Sequence, residues 1–338
     1  MSKTTNQALT RRALIGAGVG AATLAGWSGT ALAQAAGAKI GLKFSDVTTA
    51  DAPRSLALVN IFAKEIGDEF NFQPFFNGTL FKQGTELVAV QRGNLDMALL
   101  PPSDFAAQAP AFDILGAAYV VRDAAHLEKI FRSEVGQSFV KLAREKLGVV
   151  ILAPAYYGTR QLNLKGSRKV RVPEDLAGVK LRMPGGESWQ FLGKSLGANP
   201  VPLAYAETYV GLQTGVVDAQ DNPLPNTRLM KFHEVTNQIV LTGHNIGFGL
   251  LIVRAPLFDA LSPAQQQRLT EAARKAFAWS TAEYLKQEGE LATFFKGAGL
   301  DVYAPDVAAF RAHAQKLYLQ SPLSKSWPAG MLERINAL

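Results

Sequence analysis

The chain has 338 residues, of which 48% are hydrophobic, enough apolar surface for one or two globular domains with sizeable cores. It contains no Cys, which excludes disulfides, thiol nucleophiles and thiolate metal sites. The formal net charge of +7 is spread along the chain without the basic stripe that a nucleic-acid-binding surface requires. We therefore expect no nucleic-acid partner.

Residues 1–33 have the pattern of an export signal. A polar start carries the pair Arg11-Arg12, an apolar stretch follows, and small residues mark a cleavage site near Ala33. Paired arginines indicate the twin-arginine route, and the Gly- and Ala-rich stretch is too short to span a membrane. We expect a periplasmic mature chain that begins near Gln34.

The first half of the mature chain alternates strands with helices. Alternating apolar residues predict a strand over 39–44, and a helical pattern follows over 53–68. Two further strand-like runs, 70–76 and 95–100, flank a helix over 85–92. This alternation predicts an α/β fold.

Two serines follow strands of this first half. Ser45 comes directly after the first predicted strand, and Ser103 follows the strand that Pro101-Pro102 ends. Open α/β sheets bind ligands at the carboxyl ends of their strands. Ser45 and Ser103 are therefore candidates for ligand contact by position alone.

The middle and the end of the chain contain longer elements. A strand over 149–155 reaches Arg160 and could cross between two lobes, and the Gly-containing run 246–253 could return. Ser262, followed by Pro and by Gln at the third helical position, predicts a helix start. That helix could continue to about Lys296, and the tail over 302–338 is predicted to be helical.

One short pattern occurs twice. Residues 91–96 and 213–218 both read Q-x-G-x-x-D, each time between a predicted helix and a predicted strand. Six residues could match by coincidence in two ordinary αβ units. Alternatively, the chain has two similar lobes that each offer one strand end to a shared cleft, where small-ligand sites often lie.

The stretch 179–223 presents polar side chains near two predicted strand ends. A strand over 179–181 delivers Arg182 at its end, and a Gly-Gly turn then leads into a helix that contains Trp189. A helix over about 206–214 precedes a strand that we expect Asp221-Asn222-Pro223 to break. A guanidinium is a planar fork that matches a carboxylate, although a surface salt bridge would also explain one Arg at a strand end.

The same stretch carries a family resemblance. It contains G-T-R at 158–160, V-P-E-D-L-A-G-V-K-L-R-M-P at 172–184, L-G-A-N-P-V-P-L at 196–203 and E-T-Y-V-G-L-Q-T-G-V-V-D-A-Q-D-N-P at 207–223. These runs resemble the solute receptors of tripartite ATP-independent periplasmic (TRAP) transporters, the DctP family. The likeness covers nearly all of the chain after the export signal.

The resemblance implies a two-lobed α/β binding protein with a central cleft, two hinge crossings and a long helix that spans both lobes. We assign residues 34–157 and about 248–287 to lobe I. Residues 158–247 and about 288–338 form lobe II. The implied partners are an organic acid and the permease subunits of a TRAP transporter, and we expect a monomer.

The resemblance also implies roles for individual residues. Arg182 matches the family arginine that clamps the substrate carboxylate, and Arg160 matches a second ligand arginine, with bracing of the hinge as the alternative. Asn222 matches a ligand amide, unless it caps a turn. Tyr205 matches an aromatic residue that packs on the ligand, unless it is simple core. Trp189 follows the Gly-Gly turn and could line the cleft.

Two departures from sialic-acid receptors bear on the ligand. Two extra residues separate Arg160 from Arg182, and Pro101-Pro102-Ser103 stands where those receptors carry a Glu. The missing Glu disfavours a heavily hydroxylated amino sugar, and the two prolines together with Tyr205 and Trp189 predict a less polar pocket. We favour a small monocarboxylate, such as a 2-hydroxy, 2-oxo or aromatic acid, while a sugar acid or a C4-dicarboxylate stays open.

Enzymatic function has no positive support in the sequence. No metal-protease, nucleophile-elbow or phosphate-loop motif occurs. We therefore expect no cofactor, no metal and no catalytic residues. A secreted periplasmic enzyme acting on a carboxylate is the alternative, because a spatial triad leaves no mark in sequence. The four histidines lack metal-ligand spacing: His126, His233, His244 and His313.

Overall fold

A computed structural model describes residues 39–338 of the chain. The predicted export signal and its cleavage site lie outside the described residues. Within residues 39–338, no helix combines the length and the apolar character needed to cross a membrane.

The described residues form one mixed nine-stranded sheet. Most of its strands are short, but two exceed fifteen residues and run through the middle of the sheet. In chain order the strands are β1 (Ile40–Ser45), β2 (Phe70–Phe75), β3 (Met97–Leu100), β4 (Val149–Leu164), β5 (Lys180–Met183), β6 (Asn199–Pro202), β7 (Ala219–Pro223), β8 (Gln238–Arg254) and β9 (Asp301–Tyr303).

The strand order shows two halves joined by the long strands. The order is β2-β1-β3-β8-β4-β7-β5-β6, and β9 pairs with β8 off this path. Strands β1, β2 and β3 are mutually parallel on one side, as are β5, β6 and β7 on the other. Each half is therefore an α/β unit whose parallel strands end at a common edge.

Helices cover the sheet, as the alternating pattern predicts. They are α1 (Pro53–Ala57), α2 (Ala63–Glu65), α3 (Glu86–Gln91), α4 (Pro102–Ala106), α5 (Asp113–Gly116), α6 (Ala124–Arg132), α7 (Glu134–Leu147), α8 (Glu187–Ser195), α9 (Thr208–Thr214), α10 (Leu224–Leu229), α11 (Ala255–Asp259), α12 (Pro263–Gly297), α13 (Val307–Gln320) and α14 (Met331–Asn336). A π-helical turn, Leu58–Phe62, joins α1 to α2 and completes the helix predicted over 53–68.

The two crossings are β4 and β8, which pair antiparallel along their lengths. Their register shifts at three places, and the shift between Tyr156 and Gly158 lies close to the middle of the pairing. Gly158 has φ +120°, and a Cβ there would lie 2.6 Å from the Pro223 side chain. Only glycine therefore fits at this point, where β4 and β7 approach each other closely.

The long helix α12 has 35 residues and begins as the sequence predicts. Ser262 Oγ accepts from the Gln265 backbone N, and the Gln265 side chain accepts from the Ser262 backbone N. Leu269 and Phe277 of this helix pack in a core with β1 and β3. Phe295, near its other end, packs in a separate core beside β8 and β9. The helix therefore spans both halves of the fold.

The aspartate of each Q-x-G-x-x-D copy makes the same pair of hydrogen bonds to a neighbouring strand. Asp96 accepts from the Lys43 backbone N at 3.0 Å, and its own N donates to Lys43 O at 3.1 Å. Asp218 makes the equivalent pair with Lys180, at 3.0 and 2.9 Å. In each half, the aspartate ties the beginning of one strand to its parallel neighbour. The repeat thus marks two units built alike.

Two sequence predictions about elements are wrong. Asp221-Asn222-Pro223 does not break the strand but forms most of β7, because β4 pairs with all three residues. Arg182 is the third of four residues in β5 rather than a residue beyond its end. The tail also contains β9 before its helices, a strand too short for its apolar pattern to stand out.

Candidate functional site

Arg182 is a buried cation without a carboxylate partner among residues 39–338. Its side chain is 1% exposed, and its Nε donates to the Leu203 carbonyl oxygen at 2.8 Å. Its Nη2 lies 3.4 Å from Gln83 Oε1, and the Tyr205 ring centroid is 5.9 Å from its central carbon. Burial lowers the pKa of Arg182 to about 10, so the group is charged at neutral pH. A charge buried with only neutral partners favours an anion beside it.

Arg160 is also buried, but a carboxylate already compensates its charge. Its Nε and Nη2 donate to the two carboxylate oxygens of Asp221 at 2.6 and 2.9 Å. His244 Nε2 lies 3.1 Å from the same carboxylate. Burial opposes the charge on Asp221, yet Arg160 and His244 together lower its pKa. This pair joins β4 to β7, which agrees with a bracing role for Arg160.

A third buried arginine, Arg54, is paired as well. Its Nε and Nη2 donate to Asp46 at 2.8 and 3.0 Å, and its guanidinium stacks over the Tyr157 ring at 4.4 Å. Asp46 lies just beyond β1, at the carboxyl edge of its half of the sheet. Of the three arginines that are buried within the described chain, only Arg182 therefore lacks an acidic partner.

Asn222 and its neighbour Gln220 lie near Arg182 in the sheet. Gln220 is the register partner of Arg182 in the pairing of β5 with β7. Asn222 Nδ2 donates to Gln220 Oε1 at 2.6 Å, and both side chains are buried. Asn222 is thus held within a polar ladder in β7 and does not cap a turn.

The two aromatic candidates each contact one arginine. Tyr205 is buried with Phe232 in a small core, and its hydroxyl accepts from Asn226 at 3.1 Å. Trp189 lies over Arg160, with 4.8 Å between the guanidinium carbon and the ring centroid. Tyr205 therefore supports the Arg182 side chain, and Trp189 covers the Arg160 pair.

A small cavity lies between the two halves of the sheet. It measures about 20 Å³, room for about one water molecule, so an organic acid could enter only if its walls separate. The first half contributes Ser103 and the adjacent prolines, and Arg160 and Trp189 come from the second half. Of the sequence-predicted residues, the cavity lining thus brings three together: Ser103, Arg160 and Trp189.

The two serines have unused hydrogen-bonding capacity. Within the described chain, Ser45 Oγ and Ser103 Oγ are buried and make no hydrogen bond. Contrary to the sequence prediction, Ser45 does not follow the first strand but is the last residue of β1. Ser103 lies in α4, just after the adjacent parallel strand β3, and of the two serines only Ser103 lines the cavity. An unpaired buried hydroxyl is unfavourable unless something polar reaches it, so both positions suit a hydroxylated ligand.

Glu86, at the start of α3, is a buried carboxyl with one unpartnered oxygen within the described residues. Burial raises its pKa to about 8, and the nearby carboxylates of Asp104 and Asp46 act in the same direction. The group is therefore mostly neutral at pH 7.

We expect Glu86 to make the fold less stable as pH rises. Its pKa is higher in the folded chain than its ordinary value of 4.5, so the folded state keeps a proton that the unfolded state loses. Stability should then fall from about pH 4.5 to pH 8. Glu86→Gln should remove this fall, on the order of a few kcal/mol, in urea titrations across that range. Glu145→Gln, on the surface, is the control; identical profiles for Glu86→Gln and wild type would contradict the expectation.

Sequence reasoning missed three residues of this region. Gln83 precedes a Gly, and only its contact with Arg182 distinguishes it from any loop residue. Asp221 stands inside the Q-D-N-P run but received no role, although an acid beside matched ligand residues was a visible signal. Glu86 carries no sequence signal, because its burial depends on the packing of α3.

These features define a class of protein, a two-lobed α/β solute receptor with a central cleft. The model of "Bacterial extracellular solute-binding protein, family 7" matches residues 44–323, and the chain belongs to this DctP family. It is 32% identical to the sialic acid-binding periplasmic protein SiaP of Vibrio cholerae over 226 residues, 67% of this chain and 70% of that protein.

Two solved structures are also similar. A TRAP periplasmic solute-binding protein from Roseobacter denitrificans, with bound 3-deoxy-D-manno-oct-2-ulosonic acid, is 41% identical with a TM-score of 0.87; the match covers 89% of this chain and 99% of that one. A receptor from a Polaromonas species, bound to D-erythronate, is 26% identical with a TM-score of 0.82, over 89% and 99% of the two chains. The protein is thus a TRAP-type solute receptor for organic acids.

Proposed function

We propose that this protein is an exported periplasmic receptor that captures one monocarboxylate and delivers it to a TRAP permease for ion-gradient-driven uptake. The observation that carries the proposal is the charge state of the buried arginines. Arg54 and Arg160 are compensated by Asp46 and Asp221, whereas Arg182 has no carboxylate partner in the described chain. One free buried guanidinium suits one carboxylate, which favours a monocarboxylate over a dicarboxylate.

Within the monocarboxylates, we favour a 2-oxo or 2-hydroxy acid with further hydroxyls over an aromatic acid. The unpartnered hydroxyls of Ser45 and Ser103 favour a ligand with polar groups beyond its carboxylate. The solved relatives support this preference, since their bound 3-deoxy-D-manno-oct-2-ulosonic acid and D-erythronate are both hydroxylated monocarboxylates. Arg160 and Trp189 then line the cavity beside the ligand, and Asn222 and Tyr205 hold Arg182 and its surroundings in place.

The proposal includes export and hinge bending. Residues 1–33 act as a twin-arginine signal, and the mature monomer works in the periplasm. Residues 34–157 and about 248–287 form lobe I, while residues 158–247 and about 288–338 form lobe II. The lobes rotate about β4 and β8 near Gly158, where the middle one of three register shifts interrupts regular pairing.

The proposal also holds that the protein binds its acid without transforming it. Family membership supports this view. Recovery of chemically unchanged acid after prolonged incubation with the protein would support a receptor. Conversion of more than one mole of acid to product per mole of protein would instead support the alternative of a secreted enzyme.

We expect the acid to draw the two lobes together. A ligand shifts an open–closed equilibrium only if it binds the closed form more tightly, and the small closed cavity requires such a change for entry. Native mass spectrometry of freshly purified protein should identify the co-purified acid. X-ray scattering should then give a smaller radius of gyration with that acid than without it. An unchanged radius at saturating acid would contradict hinge closure, and Arg182→Ala serves as the unliganded control.

A further inference from the structure

Gln83 connects two distant parts of the sheet. It lies between β2 and α3, beside one edge strand, whereas Arg182 and Tyr205 lie near β6, the other edge. Gln83 Oε1 accepts from the Tyr205 backbone N at 2.8 Å and lies 3.4 Å from Arg182 Nη2. A single half-buried side chain therefore spans the cleft at the point where the unpaired guanidinium lies.

The chemistry of these contacts fixes the orientation of the carboxamide. Both partners are N–H donors, so the oxygen of Gln83 must face them and its Nε2 must point away. Within residues 39–338, Nε2 donates to no protein group, and Arg182 Nη1 donates to none either. Each side chain thus keeps N–H donors that no protein acceptor among residues 39–338 uses.

We propose that Gln83 holds the cleft closed because its neutral side-chain oxygen bonds Arg182 and the Tyr205 backbone N. We call this contact the clasp. Since the oxygen carries no charge, the positive charge of the guanidinium remains available to the ligand. The inference rests on the proposed function, in which Arg182 binds the carboxylate. A glutamate would fit the same space, but its charge would neutralise Arg182 and repel an acid. The amide therefore makes Gln83 a specificity-determining residue as well as a link between the lobes.

A thermal double-mutant cycle on the ligand-free protein tests the contact itself. Gln83→Glu should raise Tm by about 2 °C or more, because its carboxylate pairs with Arg182 and holds the cleft closed without a ligand. The same change in an Arg182→Ala background should give no rise. Thr85→Glu places an equal charge on the surface two residues away and should shift Tm alike in both backgrounds. Equal shifts by Gln83→Glu in the two backgrounds would overturn the clasp.

Calorimetric titration with 3-deoxy-D-manno-oct-2-ulosonic acid and with D-erythronate tests the consequence for binding. Gln83→Glu should lose about 100-fold in affinity, because the introduced carboxylate competes for Arg182. Gln83→Met keeps the length and should lose about tenfold, mainly through faster dissociation. Wild-type affinity in folded Gln83→Glu would overturn the specificity role. Full affinity in Arg182→Ala would count against the proposed function, as would failure of the wild type to bind either acid. In both cases the thermal melts of the ligand-free variants still test the clasp.

Discussion

An Arg182→Ala variant is expected to bind the acid about 100-fold to several-thousand-fold more weakly than the wild type. Charge-assisted hydrogen bonds contribute about 1.5–3 kcal/mol each, and removal of the guanidinium leaves a desolvated carboxylate unpaired. The expected cost is on the order of 3–5 kcal/mol, and each 1.4 kcal/mol is about tenfold in affinity. Calorimetric titration of the identified acid into wild type and variant gives the ratio directly.

Two further variants show whether the loss of affinity comes from the paired N–H donors of the Arg182 guanidinium. Arg182→Lys keeps a positive charge but not the paired donors, so it should still lose much of the affinity. Arg168→Ala removes an exposed charge from a loop and should leave affinity within about twofold. Thermal melts check that each variant folds. Near-wild-type affinity in a folded Arg182→Ala protein would mean that the carboxylate is held elsewhere.

The second large effect is expected on stability. Asp221→Ala should lower the free energy of unfolding by about 3–5 kcal/mol, because it leaves Arg160 buried without a counter-charge. Asp221 is fully buried and makes a two-pronged bond to Arg160, while His244 lies against its other side. Urea unfolding, analysed by linear extrapolation, measures the difference.

An exposed ion pair gives the matched control for this change. Asp259 pairs with Arg144, and both side chains are about half exposed, so Asp259→Ala should cost no more than about 1 kcal/mol. A double variant that replaces both members of the buried pair, Arg160→Met with Asp221→Leu, should regain much of the lost stability. If Asp221→Ala and Asp259→Ala lowered the free energy of unfolding equally, burial of the ion pair would not determine how much its loss destabilises the protein.

The identity of most elements could be predicted from the sequence because it is encoded locally. Apolar alternation marked β1 and β2, and the cap at Ser262 marked the start of α12. The matched runs from 158 to 223 indicated the family, which the family model confirms. Periodicity and caps depend on near neighbours in the chain, so no tertiary information is needed to recognise them.

Predictions from local residue composition were wrong where a strand distant in sequence supplied the hydrogen-bond partners. Asp221-Asn222-Pro223 has the composition of a turn, yet β4 pairs with it and its polar groups are satisfied inside the sheet. The hydrogen bonds that overrule the turn come from about sixty residues away. Propensity describes what a segment does alone, and tertiary pairing outweighs it.

The matched runs and the alternating pattern were enough to predict an α/β solute receptor with arginines at positions 160 and 182. Which of these arginines has an uncompensated charge could be read only from the folded chain. Arg160 is compensated by Asp221 across β4 and β7, whereas Arg182 meets neutral oxygens from Leu203 and Gln83. Compensation of a buried charge depends on distances of about 3–4 Å between residues far apart in the chain, and residue spacing carries no such information.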